Sequence, residues 1–280
     1  MSERIDTAID LTAEMEFACK VAREAATIVT TFYVGSSEVE YKSADEPVTE
    51  ADRSANQHIV NRIMETFPDD GILSEESKDD LIRLEKERVW IVDPLDGTTE
   101  FINGTGDFSV QIALTVQGQP VLGVVYQPTE DRLYRALRDG GAFRVENGQT
   151  QRLRVSTETD PAQMCMTASR SHYSAFVRAA RQALGIREVR RVGSVGLKVG
   201  LLAQGACDLY VATTVAKEWD LCAPHALLLE AGGTLTNLCG ERPVYNQAQV
   251  AECRGLIGSN GQIHAHLVEI LTPLMEGEKG

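Results

Sequence analysis

The stretch Val89-Trp90-Ile91-Val92-Asp93-Pro94-Leu95-Asp96-Gly97-Thr98-Thr99 joins an apolar run to two carboxylates. Its first four residues are apolar and rich in β-branched side chains, which is typical of a buried strand. Proline cannot donate a ladder hydrogen bond, so strand pairing is expected to stop at Pro94. Because Pro94 restricts the backbone and Gly97 frees it, Asp93 and Asp96 can point at one spot just past the strand.

Two explanations fit this pair of carboxylates. Converging carboxylates repel each other unless a proton or a hard cation lies between them, and a set of oxygen ligands favours Mg²⁺ over zinc or copper. The Thr98 hydroxyl would lie within reach of anything bound there. Alternatively, Asp-Pro and Asp-Gly are ordinary turn dipeptides. The stretch alone favours the turn, so the rest of the chain has to decide.

Composition indicates a soluble globular protein with one or two domains. The chain has 280 residues, of which 43% are hydrophobic and 24% charged. No apolar run approaches the ~20 residues that cross a bilayer. The polar, acidic start, Met1 to Asp6, resembles neither a signal peptide nor a transit peptide. We therefore expect a cytoplasmic protein with no membrane partner.

Net charge and cysteine spacing argue against further classes of protein, namely nucleic-acid-binding proteins and proteins with cysteine-ligated metals or disulfides. A net charge of −14 argues against a nucleic-acid polymer as partner, since phosphate binding needs a basic surface. An acidic protein would hold a small phosphorylated substrate most readily through a bound divalent metal. The cysteines form no C-x-x-C pair and are predicted to be reduced thiols. They are Cys19, Cys165, Cys207, Cys222, Cys239 and Cys253.

Hydrophobic periodicity changes near residue 150. The first part predicts two amphipathic helices, 11–32 and 49–67, and a sheet that includes an antiparallel meander from residue 108 to residue 145. The second part alternates short strands with helices, including helices at 175–184, 195–204, 221–231 and 263–275. This change predicts a layered α/β (α+β) fold with two packed subdomains, 1–152 and 153–280.

Two further acidic positions accompany the opening stretch. Thr49 and Asp52 fit a helix capping box, which by itself would explain Asp52. Glu75 and Glu76 follow a short predicted strand that begins at Gly71. The two predicted strand ends could then be neighbours, which would bring Glu75 close to Asp93.

Three motifs together resemble the inositol monophosphatase superfamily of Mg²⁺-dependent, lithium-sensitive phosphatases. They are Glu75-Glu76-Ser77, the stretch from Asp93 to Thr99, and Glu218-Trp219-Asp220 through Ala231-Gly232-Gly233. Each motif is weak alone, but their order and spacing are specific. The resemblance covers nearly the whole chain and implies an αβαβα sandwich, two or three Mg²⁺ ions, and a monomer or homodimer.

The resemblance also implies roles for individual residues. Asp52, Thr98 and Glu75 match the residues that position the attacking water. Asp220 has a second explanation, because a carboxylate there would complement the dipole of a helix expected to begin near Leu221. The positions that match the family's metal ligands are Glu75, Asp93, the Leu95 carbonyl, Asp96 and Asp220.

A second set of motifs narrows the resemblance to the 3′(2′),5′-bisphosphate nucleotidases. By this resemblance His172, Ser194 and Lys198 hold the substrate's non-reacting phosphate, and Gly97, Thr98 and Asp220 make further substrate contacts. The alternative is that Lys198 is a solvated surface lysine and His172 a helix-capping side chain. The motifs are Ser169-Arg170-Ser171-His172, Val192 to Lys198 and Lys217 to Pro224. One departure is His225, where relatives of this branch often carry an acid.

The implied reaction is hydrolysis of 3′-phosphoadenosine 5′-phosphate to AMP and phosphate by a metal-activated water. That activity would remove a by-product of sulfur assimilation. An alternative keeps the same metal site but takes inositol monophosphate or fructose 1,6-bisphosphate. A different class, a non-catalytic metal-stabilised binding protein, is disfavoured because Asp52 and Thr98 accompany the complete ligand set.

Overall fold

The computed structural model describes residues 10–33, 39–43, 46–213, 215–250 and 255–276. Within these ranges the helices are α1 (Thr12–Phe32), α2 (Glu50–Thr66), α3 (Thr98–Ile102), α4 (Ala175–Ala183), α5 (Val195–Ala203), α6 (Glu218–Glu230) and α7 (His264–Glu276). Short 3₁₀ turns lie at Ile82–Glu85, Pro128–Glu130 and Pro161–Gln163. None of the described helices is both long and apolar enough to cross a membrane.

The strands form two large sheets and one small hairpin. The hairpin pairs β1 (Val39–Ser43) with β2 (Glu46–Thr49). A seven-stranded sheet runs in chain order, with a parallel first pair and antiparallel neighbours after it. Its strands are β3 (Gly71–Ser74), β4 (Arg88–Asp96), β5 (Ser109–Val116), β6 (Gln119–Gln127), β7 (Arg132–Leu137), β8 (Gly141–Glu146) and β9 (Gln149–Arg152).

The second large sheet has five strands in the order β11-β10-β12-β14-β13. The strands β11, β10 and β12 are parallel, because helical crossovers connect them. The strand β14 pairs antiparallel with both β12 and β13. The strand β11 therefore lies at one edge. The strands are β10 (Cys165–Ser169), β11 (Glu188–Val192), β12 (Leu209–Ala212), β13 (Thr234–Asn237) and β14 (Leu256–Ser259).

Three apolar clusters show that the elements stack in five layers. In β4, the period-2 alternation sends Trp90 and Val92 to one face, where they pack with α1 and α2, and Val89 and Ile91 to the other. That second face packs on α5 and α6, which in turn cover the five-stranded sheet. Helices α4 and α7 cover the outer face of the same sheet. The predicted αβαβα sandwich is confirmed.

Helix α6 belongs to the second half of the chain but packs directly on the first sheet. A Cβ placed on Gly123 of β6 would lie 2.4 Å from the Ala223 carbonyl oxygen, so only glycine allows this approach. The apolar layer between the sheets is therefore shared by both halves of the chain. The division into subdomains 1–152 and 153–280 stays a prediction.

The course of β4, the start of α6 and the presence of β9 differ from the sequence-based expectations. The expectation that pairing stops at Pro94 is wrong: β4 bulges between Asp93 and Asp96, and Asp96 pairs again with Ser109. Because the proline falls within this irregularity, its missing N–H does not break the ladder. Helix α6 begins at Glu218, three residues before the expected Leu221. The strand β9 was not predicted, and Cys253 lies outside the described residues.

Burial of His225 on α6 couples stability to pH. The side chain is 2% exposed, and its Nδ1 lies 2.9 Å from the Tyr245 hydroxyl. Burial, and secondarily the charge of Arg242, lowers the pKa of His225 from 6.5 to about 4. Between pH 6.5 and pH 4 His225 is therefore protonated in the unfolded chain but neutral in the folded chain. The contribution of neutral His225 to the free energy of unfolding is complete above pH 6.5 and is lost as the pH falls towards 4.

We therefore expect the free energy of unfolding to fall between pH 7 and pH 4.5, with His225 accounting for about 2 to 3 kcal/mol of the loss. The variant His225→Gln should lose correspondingly less stability over the same interval. Urea unfolding at a series of pH values would measure this. His266→Gln, at an exposed position on α7, is the matched control, and an identical pH dependence in wild type and His225→Gln would contradict the expectation.

Candidate active site

A cluster of carboxylates forms where β3, β4 and α6 meet. Parallel pairing of β3 with β4 places Ser74 opposite Val92, and the Glu75 N–H continues the ladder to the Val92 carbonyl at 3.2 Å. This confirms that the two strand ends are neighbours. Oxygen atoms of Asp93, Asp96 and Asp220 all lie within 4.8 Å of one another. The structure therefore brings together carboxylates that are up to 127 residues apart in the chain.

Burial and mutual repulsion dominate the electrostatics of this cluster. Burial, reinforced by the negative charges of Glu75, Asp96 and Asp220, raises the pKa of Asp93 well above its usual value. Burial and the charges of Asp96 and Glu75 raise the pKa of Asp220 to about 8. Two carboxylates that resist ionisation, in a cluster with only oxygen donors, fit a hard divalent cation that would stabilise their charged forms.

One oxygen of Asp96 is held by three donors. Its Oδ2 accepts hydrogen bonds from Gln111 Nε2 at 2.5 Å, from Ser194 Oγ at 2.5 Å and from the Gly196 N–H at 2.9 Å. This fixes the carboxylate and leaves Oδ1 as the oxygen available to a cation. Two of the donors lie at the start of α5, so the metal-site candidate is tied to the second half of the chain.

Asp52 and Thr98 meet on the other side of the cluster. The capping box is confirmed: Asp52 Oδ2 accepts from the Thr49 N–H at 2.7 Å and Asp52 is 1% exposed. Its second oxygen, Oδ1, lies 3.4 Å from Thr98 Oγ1, which also lies 3.2 Å from the Leu95 carbonyl oxygen. The Thr98 hydroxyl thus links the capping carboxylate to one of the expected metal ligands.

Gly97 provides the turn that makes this arrangement possible. Its φ is +96°, and a Cβ there would lie 2.9 Å from the Asp107 carbonyl oxygen and 3.2 Å from the Ser194 nitrogen. A side chain at this position would be strained and would push apart β4 and the start of α5.

Asn56 clamps the loop that carries Glu75. One helical turn after Asp52, its amide oxygen accepts from Ser74 Oγ at 2.5 Å and its amide nitrogen donates to Ser77 Oγ at 3.0 Å. These two serines flank Glu75 on either side. The buried amide therefore fixes the position of Glu75 from α2.

A cavity of about 610 Å³ opens beside the cluster. Lys198 lies in its wall, 4% exposed, with Nζ 3.3 Å from the Gly193 carbonyl oxygen and 5.4 Å from the centre of the Tyr210 ring. Burial lowers the pKa of Lys198, and the nearby carboxylates, Asp96 first, oppose that shift. The alternative of a solvated surface lysine is wrong, because helix α5 points this side chain into the cavity between the sheets.

His172 and Ser194 also line the cavity, in different settings. His172 is exposed at the rim, and the cap of α4 is Ser174, so the helix-capping alternative for His172 is wrong. Ser194 is 3% exposed and has φ +43°. Its hydroxyl contacts Asp96 and Ser109 and accepts from the Leu197 N–H, so the protein already uses it. The predicted phosphate contact of Ser194 stays a prediction.

Sequence reasoning missed two polar residues of the site. Glu100 on α3 is 5% exposed, lines the cavity and accepts from Ser171 Oγ at 2.6 Å. Gln111 is fully buried and holds Asp96. A polar residue between Val110 and Ile112 in an apolar strand was a usable signal for Gln111. No local signal in the sequence indicated a role for Glu100. It directly follows the stretch that ends at Thr99, where an acidic residue on a helix surface would be ordinary.

The fold and site together define a layered α/β protein with a carboxylate cluster beside a cavity that a buried lysine lines. The chain belongs to the inositol monophosphatase family, whose model matches residues 10–276. It is similar to the 3′(2′),5′-bisphosphate nucleotidase CysQ of Salmonella typhimurium, with 38% identity over 221 residues that cover 78% of this chain and 88% of the relative.

Solved structures agree with this assignment. An IMPase of Thermotoga maritima matches with a TM-score of 0.82 and 29% identity, covering 95% of this chain and 99% of that chain. CysQ of Bacteroides thetaiotaomicron matches with a TM-score of 0.77 and 28% identity, covering 90% and 99%. The predicted family and fold type, and the predicted likeness to the bisphosphate nucleotidases, are confirmed.

The three-donor hold on Asp96 predicts that Gln111→Leu weakens divalent-cation binding. The substitution puts an apolar side chain of similar size in place of the amide and removes one donor from the candidate ligand Asp96, and such a loss typically costs about tenfold or more in metal affinity. Calorimetric titration with Mg²⁺ would measure it. The control is Gln119→Leu on the neighbouring strand, where the side chain is exposed. Equal affinities in wild type and Gln111→Leu would show that the other two donors suffice.

Proposed function

We propose that this protein is a Mg²⁺-dependent phosphomonoesterase that hydrolyses 3′-phosphoadenosine 5′-phosphate to AMP and phosphate. The observation that carries the proposal is the buried Lys198 in the cavity wall beside the carboxylate cluster. A substrate with one phosphate needs only the cluster, whereas a bisphosphate needs a second cationic contact. The similarity to CysQ nucleotidases supports the same substrate class.

The residues of the cluster fit two or three Mg²⁺ ions. Their proposed ligands are Glu75, Asp93, the Leu95 carbonyl, Asp96 and Asp220. Bound there, Mg²⁺ would polarise the phosphate oxygens and lower the pKa of a water at the site. The same charge would offset the repulsion that raises the pKa of Asp93 and Asp220 in its absence.

The chain itself would supply orientation and proton handling. We propose that Asp52 and Thr98, joined through Oδ1 and Oγ1, position the attacking water, and that the water's proton passes to the Thr98 hydroxyl and on to Asp52. Glu75, fixed through Asn56 and its two serines, would hold the water from the opposite side. Gly97 would present its backbone to the phosphate.

The remaining contacts set substrate choice. Lys198, His172 and Ser194 would hold the non-reacting phosphate, and Asp220 would contact the substrate as well as the metal. An inositol monophosphate or fructose 1,6-bisphosphate is the second candidate, because a Thermotoga maritima relative is named fructose-1,6-bisphosphatase/inositol-1-monophosphatase. We further propose that Li⁺ inhibits the enzyme and that the enzyme is a cytoplasmic monomer or homodimer. Its role would be to remove a by-product of sulfur assimilation.

Asp93→Asn should nearly abolish phosphate release while the protein stays folded. The substitution removes a buried negative charge that Mg²⁺ needs, and it relieves repulsion in the metal-free protein. The measurement is phosphate release with saturating Mg²⁺, with thermal unfolding as the control for folding. Turnover near the wild-type level would refute the assignment of the metal site. Mg²⁺ binding without phosphate release from any substrate in the wild type would instead indicate a non-catalytic protein.

Lys198→Met should separate the two substrate classes. Losing a charge-assisted contact to the second phosphate should raise KM for 3′-phosphoadenosine 5′-phosphate by about tenfold or more and leave KM for inositol 1-phosphate almost unchanged. His172→Ala should act in the same direction. Lys20→Met, at an exposed position on α1, is the control. Equal increases for both substrates would contradict the proposed substrate and leave the metal chemistry intact.

A further inference from the structure

The segment 170–191 is strongly basic in an acidic chain. It contains six arginines and a single acidic residue, Glu188, whereas the whole chain has a net charge of −14. Two of the arginines are neutralised: Arg170 pairs with Asp107 at 2.6 Å and Arg190 with Glu188 at 3.0 Å. The other four therefore form a local positive patch.

Three of these four arginines line a groove of about 610 Å³ between α4 and β11. Arg178 donates to the Tyr173 carbonyl oxygen, and Arg181 to the carbonyl oxygens of Ile186 and Arg187. Arg191 stacks on the Tyr173 ring, with its guanidinium carbon 4.2 Å from the ring centre. Across the described ranges, none of the three forms an ion pair with a carboxylate. Their positions are fixed by carbonyls and a ring, while their charge stays available.

The groove adjoins the active-site cavity. Tyr173 lines both, and its neighbour His172 lies at the cavity rim. Under the proposed function, His172 and Lys198 hold the phosphate at the 5′ position. Any anionic group attached beyond that phosphate would leave the cavity past Tyr173 and meet the arginines.

We infer that this arginine groove is a second anion subsite, which binds the terminal phosphate of 3′-phosphonucleotides that carry a diphosphate at the 5′ position. The inference rests on the proposed function. Its chemistry is that of guanidinium groups, which match phosphate oxygens in geometry and remain charged. A bulk charge of −14 repels such substrates, so a local positive groove also favours their approach.

The main experiment compares two substrates that differ by one phosphate. Adenosine 3′,5′-bisphosphate ends at the cavity, whereas adenosine 3′-phosphate 5′-diphosphate reaches the groove. Arg191→Gln should raise KM for the diphosphate substrate by roughly fivefold, with kcat and the KM for the bisphosphate nearly unchanged. The double variant Arg178→Gln/Arg191→Gln should show a larger effect, which should shrink above about 0.15 M salt.

Arg152→Gln provides a closely matched control. Arg152 also lies on an edge strand, is exposed and stacks on an aromatic ring, with its guanidinium carbon 5.9 Å from the centre of Phe143. The Arg152→Gln variant therefore removes the same charge and the same kind of contact from the other large sheet, outside the groove. The inference is overturned if Arg152→Gln and Arg191→Gln have the same effect, or if Arg191→Gln changes both substrates equally.

A binding measurement separates this inference from the proposed function. Inorganic pyrophosphate, titrated into the metal-free protein, should bind to the wild type and lose most of its affinity in the double variant, whatever the enzyme hydrolyses. Absence of pyrophosphate binding in the wild type, or equal binding in the double variant, would refute the inference that the groove is an anion subsite. Failure of the wild type to hydrolyse either nucleotide would overturn the proposed function instead. Thermal unfolding of each variant shows whether it is folded.

Discussion

The repulsion among Asp93, Asp96 and Asp220 is the constraint on which the rest of the site depends. Holding two buried carboxylates and a half-buried third within 4.8 Å of one another is costly unless positive charge is supplied or protons are retained. The raised pKa of Asp93 and of Asp220 expresses that cost. The fold tolerates the cluster because packing on both faces of β4 holds it in place. A cation bound there would relieve this repulsion, and that relief would add to its affinity.

The site is built at a junction between the two halves of the chain. β4 supplies Asp93 and Asp96, and α6 supplies Asp220. The start of α5 contributes two of the three donors that fix Asp96, and the same helix carries Lys198 into the cavity. A cation bound to Asp96 and a phosphate bound to Lys198 would therefore both be held through residues of α5. This arrangement makes the second half of the chain part of the site, not only a cover for the first sheet.

Much of the fold followed from local patterns. The alternation along β4, the helix periodicity of α1 and the turn residues of the meander predicted those elements because local burial and turn chemistry dominate there. Pro94 does not end strand pairing, because a bulge accommodates a proline that a regular ladder would not. The burial of Lys198 could not be predicted from local sequence either. Lysines are usually exposed, and this one is buried only because α5 lies between the two sheets. Gln111 and Glu100 acquired their roles only through partners remote in sequence.

By itself the sequence determined the elements and the carboxylates that end the strands, because periodicity, capping residues and turn dipeptides act within a few residues. The capping box of Thr49 and Asp52 is an example. Tertiary structure decided which oxygen of Asp96 is held, that Lys198 is buried beside the cluster, and that the arginines of α4 and β11 share a groove. These depend on the distance between side chains far apart in the chain, which only packing sets.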